Sequence, residues 1–330
     1  MEILDFFSDL QKVADVLNEQ KYFAIFTHSY PDGDGIGSSV AFYKFLINIK
    51  KEACIFCNSE MPYQYEFLPY SDKILKDLKD IPFKNKYVAV FLDCADISRV
   101  KLDEEKIKES SEFIINIDHH LSNTNFGDIN IVDSNKSATA EIIYQLLCNF
   151  FVDKIDNEIA EGLYTGILTD TGKFQYSNTT KNVHEIISKL LEYNINPSRI
   201  YSCIYECEPI NRFKLLERVL RRIKLDANNN LIFSYILKND FKKLNLPFSA
   251  NDGIIEILRT AKNVKVAALF KEIDRKCFKV SLRASDENVN VANVANYFGG
   301  GGHKMAAAYT SYETLKKSIF NLIDALKNIL

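Results

Sequence analysis

Compact apolar runs rich in β-formers alternate with helix-like stretches through the first half of the chain, and that alternation leaves few folds open. The runs at 21–27 (KYFAIFT), 52–57 (EACIFC), 87–93 (YVAVFLD) and 113–118 (FIINID) read as short buried strands. Between them, 35–49 (GIGSSVAFYKFLINI) and 137–151 (SATAEIIYQLLCNFF) carry helical periodicity. This order predicts an α/β domain with a mainly parallel sheet flanked by helices, in which chemistry collects at the carboxyl ends of the strands. From about 181 to 222 the pattern is mostly helical, broken at Asn196-Pro197. Strand-like runs then resume at 231–237, 264–273 and 277–285, followed by a helix-like segment that ends in four glycines. A second, smaller α/β domain is therefore expected.

At 330 residues the chain has room for two domains. No apolar stretch approaches a membrane span. The start, MEILDFFSDLQKVADVLNEQ, lacks the basic and apolar segments of a secretory signal, so a cytoplasmic location is expected. Cys54 and Cys57 form a lone C-x-x-C inside a strand-like run, which reads as core thiols rather than a redox or zinc pair. Charge is unevenly spread. Residues 1–180 hold 17 Lys and Arg against 29 Asp and Glu, while residues 181–330 hold 24 against 15. Such a split is open to two readings: ordinary surface charge, or an acidic half for cations and a basic half for a polyanion.

Four of the five histidines stand in unusual polar clusters; the fifth, His184, lies in a plain helix-like segment. His28, Asp32 and Asp34 share a Pro- and Gly-punctuated loop after a strand. Imidazole with carboxylates suits Mn²⁺, Fe²⁺ or Zn²⁺ better than Ca²⁺, although the aspartates also fit as caps of the next helix. Asp93 ends an apolar strand, and Asp118-His119-His120 follows another. Asp170 closes a helix-like run. Each has a bland explanation alone; together, at matching strand ends, they supply enough ligands for two cations about 3.5–4 Å apart, the arrangement that activates water and stabilises both oxygens of a displacement at phosphorus.

In this order the clusters resemble the motifs of the DHH phosphoesterases, named for the triplet at Asp118-His119-His120. The tail GGGGHKMAAAY (299–309), preceded by SLRAS (281–285), resembles the C-terminal domain of one DHH subfamily. The most similar group is the short two-domain proteins that act as nanoRNase and 3′-phosphoadenosine 5′-phosphate phosphatase, whose relatives hydrolyse cyclic di-AMP or its linear product. The resemblance implies a DHH catalytic metal-binding domain at 1–185, a helical linker at 186–222 and a DHH-associated substrate-binding domain at 223–330. It also implies two divalent cations, Mn²⁺ foremost. His28, Asp32 and Asp93 would hold one; Asp34, Asp93, His119 and Asp170 the other, with Asp93 bridging. His120 would touch the scissile phosphate or the leaving oxygen, and Asp118 would orient its neighbours. In the second domain Arg283, Gly299, Gly300, Gly301, Gly302 and His303 would clamp a terminal phosphate.

The implied reaction is hydrolysis of short RNA oligonucleotides or linear or cyclic dinucleotides to 5′-mononucleotides, with 3′-phosphoadenosine 5′-phosphate as a further substrate. Substrate would lie in a cleft between the domains, the clamp acting as a ruler for short chains. Membranes and long nucleic acids are not expected partners, and a homodimer is compatible with the sequence. The alternatives are an inorganic pyrophosphatase, against which the Gly-rich tail argues, and a single-strand exonuclease, whose added nucleic-acid module is not found. A nucleotide-binding sensor would lack a metal ligand, and none is missing. One departure stands out: Ala308 occupies a position where related chains usually carry glycine.

Overall fold

The computed structural model describes residues 2–329, and the chain divides into two units, Met1–Cys207 and Glu208–Leu330. In the first unit six strands form one sheet: β1 (Tyr22–Phe26), β2 (Glu52–Phe56), β3 (Ile74–Leu75), β4 (Tyr87–Leu92), β5 (Ser111–Asp118) and β6 (Ile129–Val132). Their order is β3-β2-β1-β4-β5-β6, and every adjacent pair is parallel. The expected fold class is borne out. All six residues of β4 are buried, as a strand covered on both faces requires. The two-residue side-chain period then sorts the apolar residues. Phe23, Ile25, Val88 and Val90 face one core with the helices Gly33–Asn48, Thr139–Phe150 and Asn157–Asp170. Ala24, Phe26, Phe56, Ala89 and Phe91 face the other, where the Phe26 ring stacks 5.2 Å from Phe56 and 5.0 Å from Phe91. Cys54 and Cys57 are buried free thiols, as expected; burial pushes the Cys54 thiol up to about 12.

This strand order places the reversal point between β1 and β4. From β1 the chain winds outward one way through β2 and β3, and from β4 the other way through β5 and β6. A crevice opens at the carboxyl ends of two strands that diverge in this manner. Above it the helices Gly33–Asn48 and Asn157–Asp170 meet backbone to backbone. A Cβ on Gly37 would overlap the Gly162 carbonyl, and one on Gly162 would lie 2.7 Å from the Gly37 oxygen.

The stretch expected as a linker divides between the units. Val183, Ile186, Ile187 and Leu190 of the helix Lys181–Leu191 pack into the first core, with Ile200 and Ile204 of the helix Pro197–Tyr205. Asn196 caps the latter helix, accepting from the Arg199 amide, and Pro197 opens it, so the Asn-Pro pair starts a helix rather than merely breaking one. The helix Ile210–Arg221 instead sends Leu215 and Val219 into the second unit.

The second unit holds a mixed sheet in the order β11-β12-β10-β9-β8-β7. Its strands are β7 (Lys224–Asp226), β8 (Leu231–Ile236), β9 (Val266–Asp274), β10 (Cys277–Ala284), β11 (Gly301–His303) and β12 (Ala306–Ser311). Only β8 and β9 pair in parallel. The helices Val291–Tyr297 and Leu315–Ile329 cover one face; Ile210–Arg221, Lys238–Leu244 and Ile254–Arg259 cover part of the other. Among the described residues no helix is long and apolar enough to cross a membrane.

Candidate functional site

Three strand ends and two helix ends of the first unit deliver polar side chains to one place. After β1, His28 is buried, and its Nδ1 donates to the Ser29 carbonyl at 3.0 Å, which leaves Nε2 facing Asp93 Oδ2 at 3.5 Å. Asp32 caps the helix Gly33–Asn48: its Oδ1 accepts from the amides of Asp34 and Gly35, both at 3.1 Å. The capping role foreseen as its alternative is thus real, and only one oxygen is used by it. Asp34 is fully buried. It accepts from Thr139 N at 2.6 Å, Ala140 N at 3.0 Å and Ser38 Oγ at 3.1 Å. Two helix N-termini therefore converge on one carboxylate, the charge their dipoles favour.

Asp93 follows β4 in left-handed backbone, φ 57°, and is 2% exposed. That conformation costs energy for a non-glycine residue and marks a position held by its surroundings. Its Oδ1 lies 3.7 Å from His119 Nε2, 3.5 Å from His120 Nδ1 and 3.4 Å from Thr139 Oγ1. His119 Nε2 also faces Asp170 Oδ2 at 3.1 Å and Asp34 Oδ2 at 4.0 Å. Asp118, with no exposed surface, accepts hydrogen bonds on Oδ1 from His120 Nδ1 at 2.7 Å and the His119 amide at 2.8 Å, while Asn123 Nδ2 donates to its other oxygen at 2.6 Å.

Crowding sets the electrostatics. Burial pushes the Asp34 carboxyl well above the ordinary range, and the charges of Asp93 and Asp170 add to it. Burial and the Asp93 charge raise Asp170 as well, against its contact with His119. Burial would lower His119, but its hydrogen bond to Asp170 and the nearby aspartates raise it to about 10. Burial would raise Asp93, yet the imidazoles of His28, His120 and His119 hold it low. The hydrogen bond to Asp118 raises His120.

The donor set fits divalent cations. The ligand atoms of His28, Asp32 and Asp93 lie within 4.8 Å of one another, as do those of Asp34, His119 and Asp170, and those of Asp93, His119 and His120. Carboxylates whose neighbours push them toward protonation are the ones a cation would return to the charged form. Gly35 keeps space clear beside them: a Cβ there would lie 3.4 Å from Asp93 Oδ2, 3.5 Å from His28 Nε2 and 2.6 Å from Thr27 Oγ1, a buried hydroxyl with no hydrogen-bond partner among the described residues.

The second unit carries a cavity of about 540 Å³ on the sheet face left open beside the helix Ile254–Arg259. Alternation along β10 buries Phe278, Val280 and Leu282 and turns Lys279, Ser281 and Arg283 the other way, into the cavity wall. Lys271 of β9 joins them. Of the residues expected to clamp a phosphate, Arg283, Gly301 and Gly302 line the cavity; Gly299, Gly300 and His303 are not among its lining, and His303 is exposed. Ser281, Ala308 and Gly301 stand in register across β10, β12 and β11, so the Ala308 methyl is part of the wall. Arg283 Nε donates to Glu256 Oε1 at 2.9 Å. Lys271, Lys279, Glu256 and Asp252 gave no signal in the sequence, because nothing there tells which strand face the helices leave bare.

A carboxylate–imidazole donor set at the reversal point of a parallel sheet is the equipment of a metal-dependent hydrolase of phosphoesters. Comparison with known proteins narrows the class. The description "DHH family, N-terminal domain" matches residues 22–167, and the DHHA1 domain matches residues 228–330. A Thermus thermophilus protein named bifunctional oligoribonuclease and PAP phosphatase NrnA is 32% identical over 92% of this chain and 89% of its own length. A Streptococcus mutans protein named as a probable enzyme of the same kind is 28% identical over 93% of this chain and 94% of its own. The crystal structure of an exopolyphosphatase-related protein from Bacteroides fragilis superposes with a TM-score of 0.88 at 27% identity, covering 97% of this chain and 96% of that one. The chain belongs to the DHH family.

Proposed function

We propose that this enzyme hydrolyses short oligoribonucleotides and dinucleotides, pApA and cyclic di-AMP among them, to 5′-mononucleotides, and 3′-phosphoadenosine 5′-phosphate to AMP. The observation that carries the reading is the pair of ligand groups, His28/Asp32/Asp93 and Asp34/His119/Asp170, joined through Asp93 at 3.7 Å from His119. The relatives' names, oligoribonuclease and PAP phosphatase, support the substrate class. In this reading His28, Asp32 and Asp93 hold one Mn²⁺, and Asp34, Asp93, His119 and Asp170 hold another. Bound there, two such cations supply Lewis acidity to the phosphoryl oxygens and acidify water for attack.

The chain's own groups do the rest. Asp118 fixes the His120 ring through Nδ1 and favours its protonated form, so Nε2 is the atom that gives a proton to the leaving 3′-oxygen. Arg283, Lys271 and Lys279, with the Gly301 and Gly302 backbone, grip a terminal phosphate of the substrate; Gly299 and Gly300 lead into β11 and His303 ends it, outside the cavity lining, where the imidazole is a further donor for the same phosphate. A grip on a chain terminus favours very short substrates.

The test is chromatographic product analysis with Mn²⁺ on linear di-adenylate, cyclic di-AMP, 3′-phosphoadenosine 5′-phosphate, a 24-mer RNA and pyrophosphate. Conversion of a short nucleotide to AMP, well ahead of the 24-mer, is expected. Turnover of pyrophosphate alone, or of nothing, overturns the reading.

A further inference from the structure

Three consecutive residues just beyond Asp170, namely Gly172, Lys173 and Phe174, take left-handed backbone with φ of 54°, 64° and 63°. For lysine and phenylalanine that conformation is strained and persists only where the surroundings impose it. They do so here. The Lys173 amide donates to the Leu168 carbonyl at 2.9 Å, the Phe174 amide to Thr171 Oγ1 at 3.2 Å, and the Gln175 and Tyr176 amides to the Thr171 carbonyl at 3.0 Å. Any Cβ at position 172 would run into the Tyr176 ring.

The consequence of this turn is where it sets the Lys173 ammonium: 4.1 Å from the centroid of the Tyr205 ring and 5.8 Å from that of Tyr201. Those two rings are 5.0 Å apart on the helix Pro197–Tyr205. Tyr176 and Tyr201 are 56% and 38% exposed, and Lys173 is exposed. Tyr205 is half-buried beside them, and burial foremost raises its phenol to about 12. Lys173 follows Asp170 by three residues, and the turn is tied back to Asp170 by Asn178 Nδ2, which donates to the Asp170 carbonyl at 3.1 Å. A core-packing role does not call for solvent-facing rings under a cation. A ligand matched to this surface carries a flat π-system and negative charge, and lies next to Asp170. A nucleotide meets each condition, because aromatic side chains stack on any base and a lysine pairs with its phosphate.

We propose that Lys173, Tyr176, Tyr201 and Tyr205 form a stacking shelf for the base of the 3′-side nucleotide of the substrate. The inference rests on the function proposed above, in which hydrolysis leaves the attacked phosphate on the 3′-side nucleoside. The base that travels with that phosphate is the one a surface beside the cluster can hold. Stacking of a base on one aromatic side chain is worth about fivefold to a hundredfold in affinity.

The experiment compares Tyr201→Ala, Tyr201→Phe and Lys173→Met with wild type, after thermal unfolding has shown that each folds. The substrates are linear di-adenylate and two analogues, one lacking the 5′-side base and one lacking the 3′-side base. For di-adenylate, Tyr201→Ala and Lys173→Met raise KM about tenfold with kcat within threefold, and Tyr201→Phe behaves as wild type. The Tyr201→Ala effect persists on the analogue lacking the 5′-side base and vanishes on the one lacking the 3′-side base. Loss of equal size on both analogues, or KM values within twofold of wild type, overturns the shelf while leaving the proposed function standing. If wild type cleaves none of the three, the function itself fails and the shelf with it.

Discussion

Replacing Asp118 with asparagine isolates the orientation of His120 from the binding of metal. Asp118 faces donors only: His120 Nδ1 and the His119 amide on Oδ1, Asn123 Nδ2 on Oδ2. An asparagine amide must point its NH₂ at one of them. Asn123 cannot readily turn to accept, because its Nδ2 also donates to the carbonyl of Cys94 and to Asn116 Oδ1, and its own Oδ1 accepts from the Asn125 amide. One charge-assisted bond is lost and one buried donor is left facing a donor, a cost of about 2–3 kcal/mol. For a unit of this size that is a fall of about 5–10 °C in its unfolding midpoint. Catalytically, freeing the imidazole to turn or change tautomer lowers kcat by about a hundredfold or more. None of the six residues proposed as metal ligands is replaced, so the expected Mn²⁺ stoichiometry is that of wild type. The assay is steady-state hydrolysis of di-adenylate beside calorimetric Mn²⁺ titration. A kcat within threefold of wild type refutes the argument that Asp118 holds His120 for catalysis. Loss of a metal equivalent would show instead that Asp118 serves the His119 ligand.

Two further outcomes follow from packing and charge. Gly37→Ala gains about 1 kcal/mol of helix propensity but forces a methyl into the Gly162 carbonyl, so a net destabilisation of about 1–3 kcal/mol is expected, read as a lower unfolding midpoint; an unchanged or higher midpoint contradicts the backbone contact. In the second unit, burial would raise the Asp240 carboxyl, but Arg222, the Leu237 amide and Arg218 bring it down to about 2. A folded-state value below the unfolded one means stability present above about pH 4 and lost as pH falls toward 2, amounting to about 1–2 kcal/mol after solvent screening. Urea unfolding across that range should show the loss in wild type and not in Asp240→Asn.

The parallel sheet could be read ahead of the structure because each central strand is a continuous apolar run ended by a polar residue, and strand ends at one edge of such a sheet are neighbours whatever the loop lengths. That is why His28, Asp93 and Asp118-His119-His120, scattered over about a hundred residues, come together. Short and atypical strands escaped. Ile74–Leu75, at an edge of the first sheet, has two residues and no room for a pattern, and Ala306–Ser311 begins with three alanines, which are poor β-formers. Gly301–His303 carries no strand pattern of its own and is drawn into the sheet by pairing with β12. The two amides that bind Asp34 lie 105 and 106 residues away on another helix, and no local signal joins them. Phe174 and Tyr30 in left-handed backbone were equally silent, since nothing in their own side chains favours that conformation.

Two cations shared through Asp93 are the core of the proposed mechanism, and titration of the metal-free protein with Mn²⁺ by calorimetry tests for them most directly. Asp93→Asn is the comparison of choice, because asparagine tolerates left-handed backbone while losing the charge. Two equivalents bound by wild type, and the loss of at least one in Asp93→Asn with the fold intact, is the predicted result. A single equivalent in wild type, or two in both proteins, contradicts it.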